Sequence, residues 1–360
     1  MASPALLALA AALASQGEGL VVEPAITTWL EVDTNANRVP VGVLGGDADP
    51  GKLRPPGDDV ERPSFDALAR ADAALDVAYS APGLRLSAES AAGVKLFVEE
   101  EQERLVVAQS RASLVTARLP AELVLSLSAF GKARAQRSGR RTYAIARGDA
   151  TLERALFGVA WRIGLEGQAF EALDDARFSF AGGGLVLGAR APLGDGERLD
   201  VVVDVAGRGF PFAARDLDNP DSRPRRTDGA STLSLHVTSA RRLFLSAGYA
   251  LVRNDSNARG ESWLRHRVQA LVGFRLPGSL TVGAVGSAQL TSYDDGVSLG
   301  QAYFLGDEDE TQNMLELTLS KPVLGGISLE ARGALFGNEL ASEGARFSRQ
   351  TAAIGVRVEL

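Results

Sequence analysis

An all-β fold, a closed antiparallel transmembrane β-barrel of sixteen strands, is predicted by three features of this 360-residue sequence. Apolar and polar residues alternate with period two in segment after segment. The connections between those segments alternate between short and long. No stretch reaches the roughly 18 apolar residues that a spanning helix needs, so a membrane crossing has to use strands. A mean hydropathy near zero fits a barrel, in which a lipid face and a wet face average out. Eighteen strands is the nearest alternative count.

The chain opens on the apolar run Leu6-Leu-Ala-Leu-Ala-Ala-Ala-Leu-Ala14, and Ala12-Leu-Ala14 offers an A-x-A-like cleavage site. Residues 1–14 therefore read as a signal peptide, although no Lys or Arg precedes the run. Residues 15–24 are expected to be a periplasmic N-terminal segment, and 25–360 the barrel. Alternation places strands at 25–34, 67–79, 84–97, 104–118, 121–134, 142–154, 157–170, 177–191, 197–209, 230–239, 243–255, 261–275, 279–292, 312–322, 326–338 and 347–359. An even number is what single-chain bacterial barrels show.

The last strand states the pattern most clearly. Ala352, Ile354, Val356, Val358 and Leu360 are apolar, whereas Arg349, Thr351, Gly355, Arg357 and Glu359 are polar or small. In 261–275, Leu264, Val268, Ala270, Val272 and Phe274 oppose Arg265, Arg267, Gln269 and Arg275, with His266 on the apolar face near the outer end. Leu199, Val201, Val203 and Val205 oppose Asp200, Asp204 and Arg208. Leu315, Leu317 and Leu319 oppose Glu316, Thr318 and Ser320; Ile327, Leu329 and Ala331 oppose Ser328, Glu330 and Arg332. A charge on the lipid face at the midplane costs about 2–4 kcal/mol, so the charged face must line the interior.

Connection length orients the barrel. Ser80-Ala-Pro-Gly83, Pro120, Leu193-Gly-Asp-Gly196, Ala240-Arg-Arg242, Pro277-Gly278 and Leu324-Gly-Gly326 are tight turns after even-numbered strands. Spans 35–66, 210–229 and 293–311 are long and follow odd-numbered strands. Short periplasmic turns and long external loops give this asymmetry. The span 35–66 could also hold an extra hairpin at Val39–Leu44 or fill the lumen. Aromatic residues near strand ends (Trp29, Tyr79, Phe97, Tyr143, Phe170, Trp263, Phe274, Tyr293, Phe336 and Phe347) are expected to form interfacial girdles. Large apolar residues look scarce on the interior parity, which predicts a hollow, wet lumen.

The interior charges expected from parity are Arg70, Arg85, Lys95, Arg162, Arg208, Arg265, Arg267, Arg332, Arg349 and Arg357, against Asp72, Asp76, Glu89, Glu166, Asp200, Asp204, Glu316, Glu330 and Glu359. They either set a field across a solute path or neutralise one another as a wet wall. The candidate selectivity residues are Arg265, Arg267, Arg332, Arg349, Arg357, Glu316, Glu330, Asp200 and Asp204, with Arg265 and Arg267 foremost. Asp33-Thr-Asn-Ala-Asn-Arg38 and Asn254-Asp-Ser-Asn-Ala-Arg-Gly260 resemble each other, and their side chains suit turn stabilisation better than calcium. Asp307-Glu-Asp-Glu310 reads as a solvated acidic run.

Chemistry of other kinds finds little support. Cysteine is absent, which removes disulfides, thiolate metal sites and a lipid-anchoring cysteine. The net charge of −7 argues against nucleic acid. Only His236 and His266 are available for a Ser-His pair, and no nucleophile elbow, zinc-protease or phosphate-loop motif appears. No enzyme activity, cofactor or metal is expected.

The stretch Arg253–Gly296 contains R-N-D-S-N-A-R-G-E-S-W-L-R-H-R-V, R-L-P-G-S-L-T-V and L-T-S-Y-D-D-G. It resembles the barrels of surface lipoprotein assembly modifiers and is similar in style to those of exopolysaccharide exporters, over about the last third of the chain. The tetratricopeptide domain of those families is missing. The closing strand also resembles the insertion signal read by the barrel-assembly machinery, with Leu360 in place of the usual Phe or Trp. The resemblance implies an outer-membrane conduit of a Gram-negative bacterium, exporting surface polysaccharide with separate periplasmic partners. Outer-membrane lipid and lipopolysaccharide would surround it. A general diffusion porin and an anchor for a surface or motility machine are the alternatives.

Overall fold

The computed structural model describes residues 19–34, 65–116, 123–137, 142–173, 179–194, 196–213, 225–240, 243–258, 262–294, 313–337 and 348–360. The segment expected to be a signal peptide, Val39–Leu44, most of the long connections and Asp307–Glu310 lie outside them. Sixteen strands close into one antiparallel barrel: β1 (Gly19–Asp33), β2 (Asp66–Ala81), β3 (Leu84–Phe97), β4 (Leu105–Thr116), β5 (Val124–Gln136), β6 (Tyr143–Leu156), β7 (Val159–Ala172), β8 (Phe180–Gly194), β9 (Glu197–Ala213), β10 (Arg225–Ala240), β11 (Leu243–Ser256), β12 (Trp263–Arg275), β13 (Thr281–Tyr293), β14 (Asn313–Leu324), β15 (Ile327–Gly337) and β16 (Ser348–Glu359). Each strand pairs with its sequence neighbours, and β16 returns to β1.

The predicted strands are all present, with two starts displaced by five residues or more. β1 begins at Gly19, inside the segment expected to be periplasmic. Glu23-Pro24 interrupts the alternation there, and a proline lacks the N–H that a central strand needs. The ladder explains how it is tolerated. β1 meets β2 from Gly19 onward but meets β16 only from Ala25, opposite Glu359. β10 begins at Arg225, five residues before the expected start. Its polar opening, Arg225-Arg-Thr-Asp-Gly229, reads as loop but pairs with β9 and β11.

Facing follows parity. On the outer surface the charged residues of the described strands are Arg154, Glu171, Glu197, Arg225, Arg253, Asp255 and Lys321, all close to strand ends. Between them the outward positions are apolar, small or hydroxylated, with His266 the one titratable exception. Arg154 lies opposite Trp161 at the short-turn end, and Glu171 marks the other end of β7. Ten residues separate Trp161 from Glu171; at ~3.3 Å per residue and a tilt near 40°, the apolar band is about 25 Å high, as an outer-membrane barrel requires.

The seam between β1 and β16 has its own packing device. Gly355 lies opposite Trp29, and a Cβ on Gly355 would come within 2.6 Å of both the Trp29 ring and the Thr28 carbonyl. The indole lies where a side chain on residue 355 would stand. Gly355→Val should therefore strain the closing seam by about 1–3 kcal/mol. The check is unfolding in detergent, and Trp29→Ala should recover part of the loss. A second pair of substitutions tests the facing of β10. Leu233→Arg should cost about 2–4 kcal/mol, whereas Thr232→Arg, beside Asp204 on the interior, should be tolerated. Urea titration in liposomes compares the two.

Candidate functional site: the barrel lumen

Interior side chains toward the long-connection end are mostly buried, while those toward the short turns are partly exposed. The buried set divides into three sectors around the wall. The first straddles the seam. Glu31 of β1 accepts from Arg332 of β15 at 2.7 Å and faces Lys95 of β3 at 3.7 Å. Arg332 also approaches Glu316 of β14 at 4.0 Å and lies over the Trp29 ring at 5.3 Å. Arg70 and Asp72 pair at 2.7 Å on β2. Nearer the outer end, Arg349 of β16 grips Asp33 of β1 through Nε (2.7 Å) and a terminal nitrogen (2.5 Å). The side chains of that pair are 2% and 0% exposed, so each charge depends on the other to offset its desolvation.

The second sector is aromatic. Tyr143, Phe170, Phe180 and Phe210 project inward from four successive strands, β6 to β9, with ring centroids 5.4, 5.7 and 5.3 Å apart. Ile145 and Ala172 complete the cluster, and Phe130 packs beside it. Guanidinium groups cap three of these rings: Arg226 over Phe210 at 4.1 Å, Arg208 over Phe180 at 5.5 Å and Arg111 over Phe130 at 5.6 Å. Such contacts let a cation sit on an apolar surface at little desolvation cost.

This sector corrects two expectations. Trp29, Phe97, Tyr143, Phe170, Trp263 and Phe336 have interior parity and do not form a lipid-facing girdle; only Tyr79 and Phe274 of the assignable set face outward. The side chain of Tyr293, and all of Phe347, lie outside the described residues. Large apolar residues are therefore not scarce inside: Leu68, Leu105 and Val107 join the rings. The physical reason is height. A strand end that projects past the lipid has a shielded interior side, so aromatic residues there bury area inward.

The third sector is β11 to β13. Its inward positions are Phe244, Ser246, Gly248, Ala250, Val252, Asn254 and Ser256 on β11, Trp263, Arg265, Arg267, Gln269, Leu271, Gly273 and Arg275 on β12, and Gly283, Val285, Ser287, Gln289 and Thr291 on β13. Among the described residues no carboxylate faces inward on these three strands. Arg265 lies over Trp263 at 4.1 Å and donates to the Thr291 hydroxyl at 3.1 Å, and Arg267 lies against the Gln269 amide.

The nine sequence candidates thus separate. Arg332, Glu316 and Arg349 belong to the seam sector, with Glu330 on the same strand as Arg332. Arg357 binds its neighbour Glu359 at 3.0 Å near the short-turn end. Asp200 is held by Arg190 (2.6 Å) and Arg198 (3.4 Å) on the far wall, and Asp204 faces Thr232. Arg265 and Arg267 stand together on β12. Sequence reasoning missed Glu31, Asp33, Lys132, Arg134, Arg226 and Asp228, all buried. The parity of Trp29 in β1 would have revealed Glu31 and Asp33.

Polar side chains also tie the outer rim. Asp228 accepts two bonds from Arg226 (3.0 and 2.8 Å), one from Ser256 (2.6 Å) and one from Asn254 (3.3 Å). Asn257 joins the Thr227 N–H and the Arg225 carbonyl. The amides of Asn254 and Asn257 therefore tie this stretch to β10, one through the Asp228 carboxylate and one through backbone, rather than to its own turn. Beyond β13, Asp294 takes two bonds from Arg253 (2.8 and 2.5 Å), and that guanidinium holds the carboxyl below its ordinary range. Of the two histidines, His236 bonds Ser246 at 2.6 Å inside, and His266 meets the Tyr249 hydroxyl at 2.8 Å outside. Among the described residues no group of His, Asp and Glu is gathered to hold a metal.

The fold is that of outer-membrane β-barrels. No protein-family model matches the chain, and no curated protein matches it in sequence. Among solved structures it is similar to the high-pH structure of Pseudomonas putida OprB, with a TM-score of 0.51 at 8% identity over 95% of this chain and 94% of that one. It also matches a TodX monoaromatic hydrocarbon channel mutant (TM-score 0.44, 10% identity, 95% and 90% covered). A third match is a bacterial polysaccharide outer membrane secretin (0.42, 10%, 93% and 98%). At these identities the likeness is one of fold.

The Arg349–Asp33 pair offers a sharp test of the seam. Asp33→Ala or Arg349→Ala alone should cost about 3–5 kcal/mol by leaving one buried charge without its partner. The double replacement Asp33→Leu with Arg349→Met should recover most of it, and unfolding midpoints of the three variants give the comparison.

Proposed function

We propose that this protein is an outer-membrane translocation channel of a Gram-negative bacterium, passing an anionic surface polysaccharide with the help of separate periplasmic partners. The observation that carries this reading is the wall of β11 to β13. Three adjacent strands present Arg265 and Arg267 to the lumen with no described carboxylate among them. Other parts of the wall hold matched pairs, as in Arg332 with Glu31 and Arg190 with Asp200. A wall charged on one side favours counter-ions in a confined path. The Trp263 ring beneath Arg265 adds an apolar face of the kind sugar rings pack against. The resemblance of Arg253–Gly296 to lipoprotein assembly modifier and exopolysaccharide exporter barrels supports the same reading.

A general diffusion porin is the second reading, favoured by matched ion pairs such as those of the seam and of β8 with β9. Planar-bilayer recording should show an open, anion-preferring conductance. In Arg265→Ser with Arg267→Ser the reversal potential should move toward cation preference; an unchanged value would remove the two arginines as the filter. Deletion of the gene should abolish surface polysaccharide. Normal polysaccharide with a conducting barrel would leave the porin reading in place.

A further inference from the structure

At six places among the described residues a guanidinium lies over an aromatic ring inside the barrel. In four of them the ring or the cation is buried. Phe180, Phe210 and Trp29 are 4%, 7% and 6% exposed, and the Arg349 that covers Phe336 is 2% exposed. The other two, Arg265 over Trp263 and Arg111 over Phe130, keep both members partly open to the lumen. The first belongs to the wall of β11 to β13, and the second stands elsewhere.

Phe130 lies midway along β5, where the aromatic sector emerges from its buried zone. It packs beside the Tyr143 cluster without being buried itself. Cross-strand pairing puts an arginine on each side of it: Arg111 of β4 and Arg147 of β6 are its direct partners. Arg111 is exposed, with its guanidinium 5.6 Å from the ring centroid. Glu89 of β3 stands opposite Arg111 on the far side. Among the described residues the inward faces of β4 and β5 hold Arg111, Lys132 and Arg134 and no carboxylate. A ring left partly open to water forgoes some of the burial that would stabilise it, so its open face is where a ligand gains contact.

This patch and the β12 pair are placed to act in sequence. β4 is eight strands from β12 in a ring of sixteen, so Arg111 and Arg265 occupy opposite walls. At a tilt near 40° a ladder row climbs about 3 Å per strand, and counting along the rows sets Arg265 about 15 Å closer to the long-connection end than Arg111.

We propose that Arg111, Phe130 and Arg147 form a binding subsite for an acidic pyranose sugar. The apolar C–H face of the sugar rests on the Phe130 ring, its carboxylate lies between the two guanidinium groups, and Glu89 accepts from a hydroxyl. An aromatic platform offers contact area with few rotors to freeze, and a guanidinium matches a carboxylate in two bonds. The proposal rests on the export reading for the nature of the polymer. It adds a contact on the opposite wall, so that one chain is held at two heights by the same chemistry.

The experiment is current blockade in planar bilayers by tetragalacturonate, with neutral maltotetraose for comparison. The uronate should dwell at least fivefold longer than maltotetraose. Phe130→Leu keeps an apolar side chain against the Tyr143 cluster but removes the flat face, and should shorten the uronate dwell at least fivefold; Phe130→Trp should retain it. Arg111→Gln should reduce the preference for the uronate. Phe336→Leu, at a ring whose arginine is buried, should change neither value. Isothermal titration of the purified barrel in detergent reads the same ratios without an open pore. Binding indifferent to Phe130→Leu, or equal for the two oligosaccharides, would overturn the subsite. Binding as expected, in a barrel whose deletion leaves surface polysaccharide normal, would defeat the export reading and leave the subsite standing.

Discussion

Closure is the constraint on which everything else depends. Hydrocarbon offers no partner to a backbone N–H or C=O, so a sheet in lipid is stable only as a ring without edges. The ring here closes through the pairing of β16 with β1, from Ala25 opposite Glu359 to Asp33 opposite Thr351. These are the strands most distant in sequence, and their pairing carries the largest loop-closure cost in the molecule. The side chains at this seam are accordingly specific. The Trp29 indole covers Gly355, Arg332 spans from β15 to Glu31, and Arg349 grips Asp33. Three contacts of different chemistry fix one register, and a slip of one residue would break all three while turning Ile354 and Val356 inward.

Period two then decides where charge can go. A residue on the outward parity sees lipid over a band about 25 Å high, and only strand ends carry charge there. The inward parity absorbs the rest, but a buried charge is costly without a partner. The matched pairs of the seam sector and the caps of arginine on aromatic rings are two solutions of that same problem. β11 to β13 use a third one: small and amide-bearing neighbours, Gln269, Ser287, Gln289 and Thr291, surround Arg265 and Arg267.

The strands were legible because alternation is a local property, visible within ten residues. Parity within a strand also puts Arg265, Glu316 and Asp204 on the face opposite the apolar residues. Two kinds of information were hidden. Glu23-Pro24 and Arg225–Gly229 look like loop because polarity and proline mask a ladder that continues past the membrane, where neither is penalised. The aromatic residues were misjudged because their position near strand ends was weighed and their parity was not. Trp29 shares its parity with Glu31, and Tyr143 with Arg147. What no local pattern could supply is which interior groups meet. Arg332 and Glu31 are brought together only by closure, 301 positions apart in the chain.

The two ends of the barrel differ in how their interiors are filled. Toward the long connections the interior is lined by buried rings and ion pairs, and polar ties such as Asp228 with Arg226, Asn254 and Ser256 brace the rim. Toward the short turns the inward residues, among them Arg85, Glu153 and Arg162, are partly exposed. A solute entering from the short-turn end therefore meets a wetter mouth first and the braced sector last. Arg265 and Arg267 lie near the outer start of β12, at the passage from one zone to the other. The interior is thus graded from buried at the long-connection end to exposed at the short-turn end, and the arginine pair of β12 stands on that gradient rather than at either mouth.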